Sequence, residues 1–182
     1  MNENKSNRPG RKLSKTESMN ELRLGAARKR LAESRDQADA IEGLREIVAN
    51  FIGSEEIVLF KVDRRNATFH VFWAFGIDPE DYDLPRALGE AGLQHVMRGE
   101  CHVEAPDRNR SNAVAKVKAF IPLRFANQTV AILAILRLLP QKVGFDRSDM
   151  ELFKVLSEQA AGPLFGPNAH SKAVTGGSGI RA

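Results

Sequence analysis

Apolar residues are densest between residues 117 and 136, where they form two runs separated by a short polar break. The first, Ala119-Phe120-Ile121-Pro122-Leu123, follows an alternating start at Lys116-Val117-Lys118 and reads as a strand. The second, Thr129-Val130-Ala131-Ile132-Leu133-Ala134-Ile135-Leu136, runs without alternation, as a strand covered on both faces does. Between them Ala126-Asn127-Gln128 predicts a tight hairpin turn, because Asn tolerates the positive φ such turns need. Residues 56–62 and 68–75 read as two further strands, apolar at both parities and joined by Asp63-Arg64-Arg65-Asn66-Ala67. Cys101-His102-Val103-Glu104 adds a short edge strand, which makes five.

The helical rhythm occupies the two ends and one insertion. Residues 21–52 are rich in Ala, Leu, Arg and Glu, lack proline, and predict one long helix. Its later part carries the stripe Ile41, Leu44, Ile47, Val48 and Phe51, which would lie on the sheet. Its earlier part would project, with Leu24, Leu31 and Ile41 on a seam interrupted by Ser34 and Arg45. A short helix is predicted after Asp83, with Leu84, Leu88, Ala91 and Val96 on its buried side. The last helix has complete start chemistry: Asp146 as N-cap, Asp149 at N3, and Phe145 with Met150 as a hydrophobic staple. Leu152, Phe153, Leu156 and Ala160 form its apolar stripe.

These elements, in this order, resemble a GAF domain. The resemblance rests on Ala119-Phe120-Ile121-Pro122-Leu123, the hairpin, the apolar strand, Phe145-x-x-x-Asp149-Met150, and Gly92 to Glu100 as a helix ending in Gly-Glu. It covers roughly residues 36–166 and is carried by the order of elements more than by any one motif. It implies an α+β, GAF-like fold: a central antiparallel five-stranded sheet, with the N- and C-terminal helices packed on one face. Loops and a short helix would cover the other. The expected organisation is a disordered basic arm over 1–20, the helix over 21–52 with 36–52 packed on the domain, a GAF-like domain over 53–166, and a flexible tail over 167–182.

Composition narrows the setting. Residues 1–30 hold nine Lys/Arg and three Asp/Glu, a charge of +6, while the rest holds 18 basic against 20 acidic residues, or −2. The basic arm has no interleaved aromatic to stack a base, so nucleic acid is not the expected partner. No apolar run reaches the roughly 20 residues of a membrane helix, and a soluble cytoplasmic chain is expected. One cysteine, Cys101, excludes an internal disulfide and a multi-cysteine zinc site.

Chemistry-bearing motifs are incomplete. His102-x-Glu104 lacks the downstream Pro-Cys-x-x-Cys of zinc deaminases, and the histidines have no metal spacing. Cys101-His102 is similar to the chromophore-bearing pair of bilin-binding GAF domains, but Ala105-Pro106-Asp107-Arg108 follows where that family has a different run. Phe145 and Asp149 match half of the cyclic-nucleotide pattern, with Met150 in place of its Glu. The resemblance therefore implies a non-enzymatic signalling or regulatory module and names no cofactor. It would sense a small molecule and couple it to helix-mediated homodimerisation, passing the signal to another protein. Trp73, Phe75, Tyr82 and His102 are the expected ligand-binding residues, and Leu24, Leu31, Ile41, Leu152 and Leu156 the expected dimer contacts. The alternatives are a ligand-free dimerisation or interaction scaffold, and a nucleic-acid-associated regulator using the arm.

Overall fold

The computed structural model describes residues 14–65, 68–78, 84–103, 117–167 and 169. Two helices, α1 (Lys15–Ala32) and α2 (Gln37–Ile47), lead through a π-helical turn (Val48–Ile52) into the sheet. Strands β1 (Ser54–Asp63) and β2 (Thr68–Phe75) precede helix α3 (Leu84–Met97) and the two-residue β3 (His102–Val103). Then come β4 (Ala119–Phe125), β5 (Gln128–Leu138), α4 (Arg147–Gln159) and the short α5 (Ala161–Phe165). The sheet is antiparallel throughout, in the order β2-β1-β5-β4-β3.

Central β5 shows why its sequence does not alternate. Residues 131–136 are all buried, with Ala131, Leu133 and Ile135 in a core beneath α1, α2, α4 and α5. Ile132, Ala134 and Leu136 enter a second, smaller core on the α3 side. The β4–β5 hairpin turns at Ala126 and Asn127, whose φ values of 48° and 62° are the left-handed pair of a type I′ turn.

Helix α4 starts as its sequence predicts. The Asp146 carboxylate accepts from the Asp149 amide, and the Asp149 carboxylate accepts from the Asp146 amide, both at 2.9 Å. Phe145 packs edge-on against Phe153, with ring centres 5.0 Å apart, while Met150 is exposed. The aromatic ring one turn further along has the larger apolar surface to offer, so the expected staple partner is replaced.

The N-terminal region departs from the single projecting helix. The chain breaks at residues 33–36, where Asp36 caps a new helix by accepting from the Asp39 amide. Helix α1 itself begins at Lys15 with a Ser14–Glu17 capping box, so the latter part of the expected arm is helical. Residues 1–13 and 170–182 lie outside the described residues. Helix α1 lies against α4 and α2, fastened by two arginines. Arg23 donates to Asp149 Oδ1 and to the Phe51 carbonyl, each at 2.6 Å, and to Ser148 Oγ at 2.7 Å. Arg30 bonds Glu46 at 2.7 Å and Asp39 at 2.9 Å. Gly43 leaves room for it, since a Cβ there would lie 3.0 Å from the Arg30 guanidinium. No helix among the described residues is long and apolar enough to cross a membrane.

Asp149 is fully buried and holds two cations, Arg23 and, at 2.8 Å, Lys142. Replacing Arg23 by Ala should cost about 2 kcal/mol, the scale of a hydrogen bond to a buried charge, because one counter-ion remains. Denaturant titration measures it; a neutral substitution would mean that α1 is not docked. Asp146→Asn tests the cap against pH. The Ser148 hydroxyl, then the Asp149 amide, holds the Asp146 carboxyl below its ordinary value of 3.8. Its stabilisation is therefore full above that value and is lost as pH falls through the lowered one. Asp146→Asn should flatten the acid limb of a stability–pH curve while leaving its form near neutrality unchanged.

Candidate functional site

Among the described residues, the two faces of the sheet are covered by different numbers of elements. The helix side buries large side chains from every covering element, including Leu44, Ile47, Ile52, Leu152, Phe153, Leu156 and Leu164. The other side has an apolar floor of Val58, Phe60, Phe120, Ile132, Ala134 and Leu136. Among the described side chains of α3, Leu88 and Val96 are the buried hydrophobics, while Ala87, Leu93 and Met97 are half-buried against the floor.

Helix α3 is also broken in the middle. Gly89 has φ 64° and ψ 172°, a conformation that interrupts the helix and that residues with a Cβ adopt only at a cost. The later half is anchored by the buried Thr129 of β5, whose hydroxyl donates to the Val96 carbonyl at 3.1 Å. Gly92 is buried between Leu88 and His102: a Cβ there would come within 3.2 Å of Leu88 and 3.5 Å of His102 Nε2. His102 lies on β3, opposite Phe120, with ring centres 6.4 Å apart. An imidazole thus borders an apolar floor beneath a kinked helix.

Of the three expected ligand-binding residues that are described, only His102 is at this face. Trp73 pairs with Leu59 and Phe75 with Ile57, and both partners point into the helix-side core. The cause is a β-bulge. Register steps from Leu59↔Trp73 to Phe60↔Val71, leaving Phe72 as the extra residue, so Phe72 and Trp73 both pack on the helix side. Trp73 and Phe75 stack 6.2 Å apart, and the Arg45 guanidinium of α2 lies 5.2 Å over Phe75. Tyr82 lies outside the described residues. No shared pocket joins Trp73 and Phe75 to His102, because the sheet stands between them.

The expected dimer contacts are used within the chain. Leu31, Leu152 and Leu156 are at most 1% exposed, and Leu24 and Ile41 are half-buried against the same core. Docking of α1 onto α4 covers the seam that a projecting helix would have left open. Gly92 and Thr129 were not singled out by sequence reasoning. The spacing Leu88-x-x-x-Gly92-x-x-x-Val96, one residue per helical turn on one face, was the available signal for the glycine. Nothing local marks the threonine.

Among the described residues no three His, Cys, Asp or Glu side chains converge as a metal site requires. Cys101 is exposed as a residue, yet desolvation pushes its thiol up to about 11. On either count the thiol stays protonated near neutrality, the reverse of an activated nucleophile.

No protein-family model and no curated protein matches the chain by sequence. Solved structures do match by shape. The GAF domain of an Acinetobacter phosphoenolpyruvate-protein phosphotransferase aligns with TM-score 0.60 and 18% identity, over 80% of this chain and 92% of that one. The corresponding GAF domain from Coxiella burnetii gives 0.57 and 18%, over 81% and 94%. A GAF domain/HD domain protein from Geobacter sulfurreducens gives 0.52 and 13%, over 71% and 92%.

The thiol state is directly testable. Alkylation of Cys101 by iodoacetamide should be slow at neutral pH and rise with a midpoint near 11 in the folded protein. A midpoint at or below the ordinary value of 9.0 would show a water-exposed sulfur.

At such identities the likeness is one of architecture, and it makes this chain a protein of GAF-like fold.

Proposed function

We propose that this chain is a non-enzymatic regulatory module that takes a small, largely apolar molecule between the sheet and α3. The observation that carries the reading is the unequal covering of the sheet. Among the described residues, the α3 side has an apolar floor, the His102 imidazole at its border, and a cover that is kinked at Gly89 and buries Leu88 and Val96. Small-molecule sites are typically apolar concavities with a few placed polar groups. A cover with few buried contacts opens at low free energy and can yield to a ligand.

The fold supports the regulatory class. Its matches include GAF domains of phosphotransferases and part of a methyl-accepting chemotaxis protein. The polar fastening of α1 to α4 gives the module an output layer, since those helices share the core face of the central strands. A second reading, a scaffold whose α3 face is simply filled, is favoured by one observation. Phe120, Ile132 and Ala134 are already fully enclosed by the chain's own residues.

A thermal-shift panel separates the two. Aromatic acids and short acyl carboxylates are tested against the wild type and Gly92→Ala, whose added methyl presses on Leu88 and His102. The sensor reading expects at least one class to raise Tm saturably in the wild type, with the rise reduced in Gly92→Ala. A panel with no shift, or one equal in both proteins, supports the scaffold.

A further inference from the structure

Helix α1 packs chiefly on α4 and α2, and its apolar side chains are divided between two faces. Of the four large ones, Leu31 is buried and Leu24 half-buried, while Met19 and Leu22 are 60% and 69% exposed. Ala27 is the other buried residue of the helix. The rest of the fastening is polar. Asn20 donates to Glu151 at 2.5 Å, Arg23 reaches Ser148, Asp149 and the Phe51 carbonyl, and Arg30 reaches Asp39 and Glu46 of α2. Two atoms buried in this fastening, Arg23 Nε and Asn20 Oδ1, have no protein hydrogen-bond partner among the described residues, a cost that release to water removes. Asp149 does not depend on α1 alone. Without Arg23 it keeps Lys142 at 2.8 Å and the Asp146 amide at 2.9 Å.

We propose that α1 is a releasable strap, which undocks as a unit while α2, the sheet and α4 stay folded. The fasteners set what it responds to. The Arg30 pairs with Asp39 and Glu46 are partly exposed, so they weaken as salt rises, which apolar docking does not do. Release also uncovers a defined face. Val155 is 3% exposed and lies on the side of α4 that carries Ser148 and Glu151, the residues α1 bonds. Gly43 of α2, against which the Arg30 guanidinium rests, is uncovered with it. One helix therefore hides or bares a surface spanning α2 and α4, an order–disorder switch. The strap lies on the opposite side of the sheet from α3, so the proposal stands whether or not a small molecule binds there.

Two measurements on the full chain test it. Ala27→Cys in a Cys101→Ser background puts a thiol beneath the strap, and Ala131→Cys in the same background puts one in the core under all four helices. Ala27→Cys should react with a disulfide reagent far faster than Ala131→Cys, which is exposed only by global unfolding. Its rate should rise about fivefold between about 0.05 and 0.5 M sodium chloride, the scale of one surface ion pair lost to screening. Adding Arg23→Ala should raise it about thirtyfold. Amide exchange in the wild type needs no cysteine: Leu24, Ala27 and Leu31 should share one opening free energy, below that of α4. Equal reactivity of the two thiols overturns the proposal, and so does a rate that neither salt nor Arg23→Ala changes. Protection graded smoothly from Lys15 inward overturns it too, since that is end-fraying and not release of a unit.

Discussion

The structure depends on one constraint: strands β1, β4 and β5 are apolar on both faces, so both faces must be covered. Five backbone-paired strands satisfy the hydrogen bonds of the sheet, but they leave two greasy surfaces in water. The terminal helices cover one surface with leucines, isoleucines and Phe153 from four elements. Among the described residues, the other is covered from the middle of the chain by a helix interrupted at Gly89. Among the described residues, more elements cover the helix side than the α3 side. The proposed function follows from that difference.

Asp149 ties the helix side together. It closes the α4 capping box, accepts from Arg23 of α1, and pairs with Lys142 of the loop before α4. A carboxylate with no exposure to water is tolerable only because it has two cations and an amide around it. Among the described residues, the buried Arg23 Nε and Asn20 Oδ1 have no protein hydrogen-bond partner. The docking of α2 joins the buried Leu44 and Ile47 to a Gln37 side chain that donates to the Leu164 carbonyl at 2.6 Å.

Much of this was legible in the residues. The unbroken apolar run of β5 announced a doubly covered strand, and Asp146 with Asp149 announced the start of α4. Both are local signals. The failures were long-range. Helical composition over residues 21–52 did not reveal the break at Asp36, because propensity falls little at Ser34 and Asp36 while packing of α1 on α4 decides the geometry. Leu31, Leu152 and Leu156 were correctly apolar, but periodicity cannot distinguish a partner's surface from the chain's own core. Trp73 and Phe75 were read as pocket residues from their place at the end of the strand, and the bulge at Phe72 sets them on the helix side. That residue also explains why the expected aromatic pocket does not form with His102.

The central claim is that α3 is the weakly held cover of a strongly held sheet. Amide hydrogen exchange tests it most directly, because opening free energies are read element by element. The account predicts that amides of α3, above all around Gly89, exchange through a local opening well below the global unfolding free energy. Amides of β5 and α4 should open only with the whole domain. Protection in α3 equal to that of β5 and α4 would contradict the account, since both faces of the sheet would then be sealed alike.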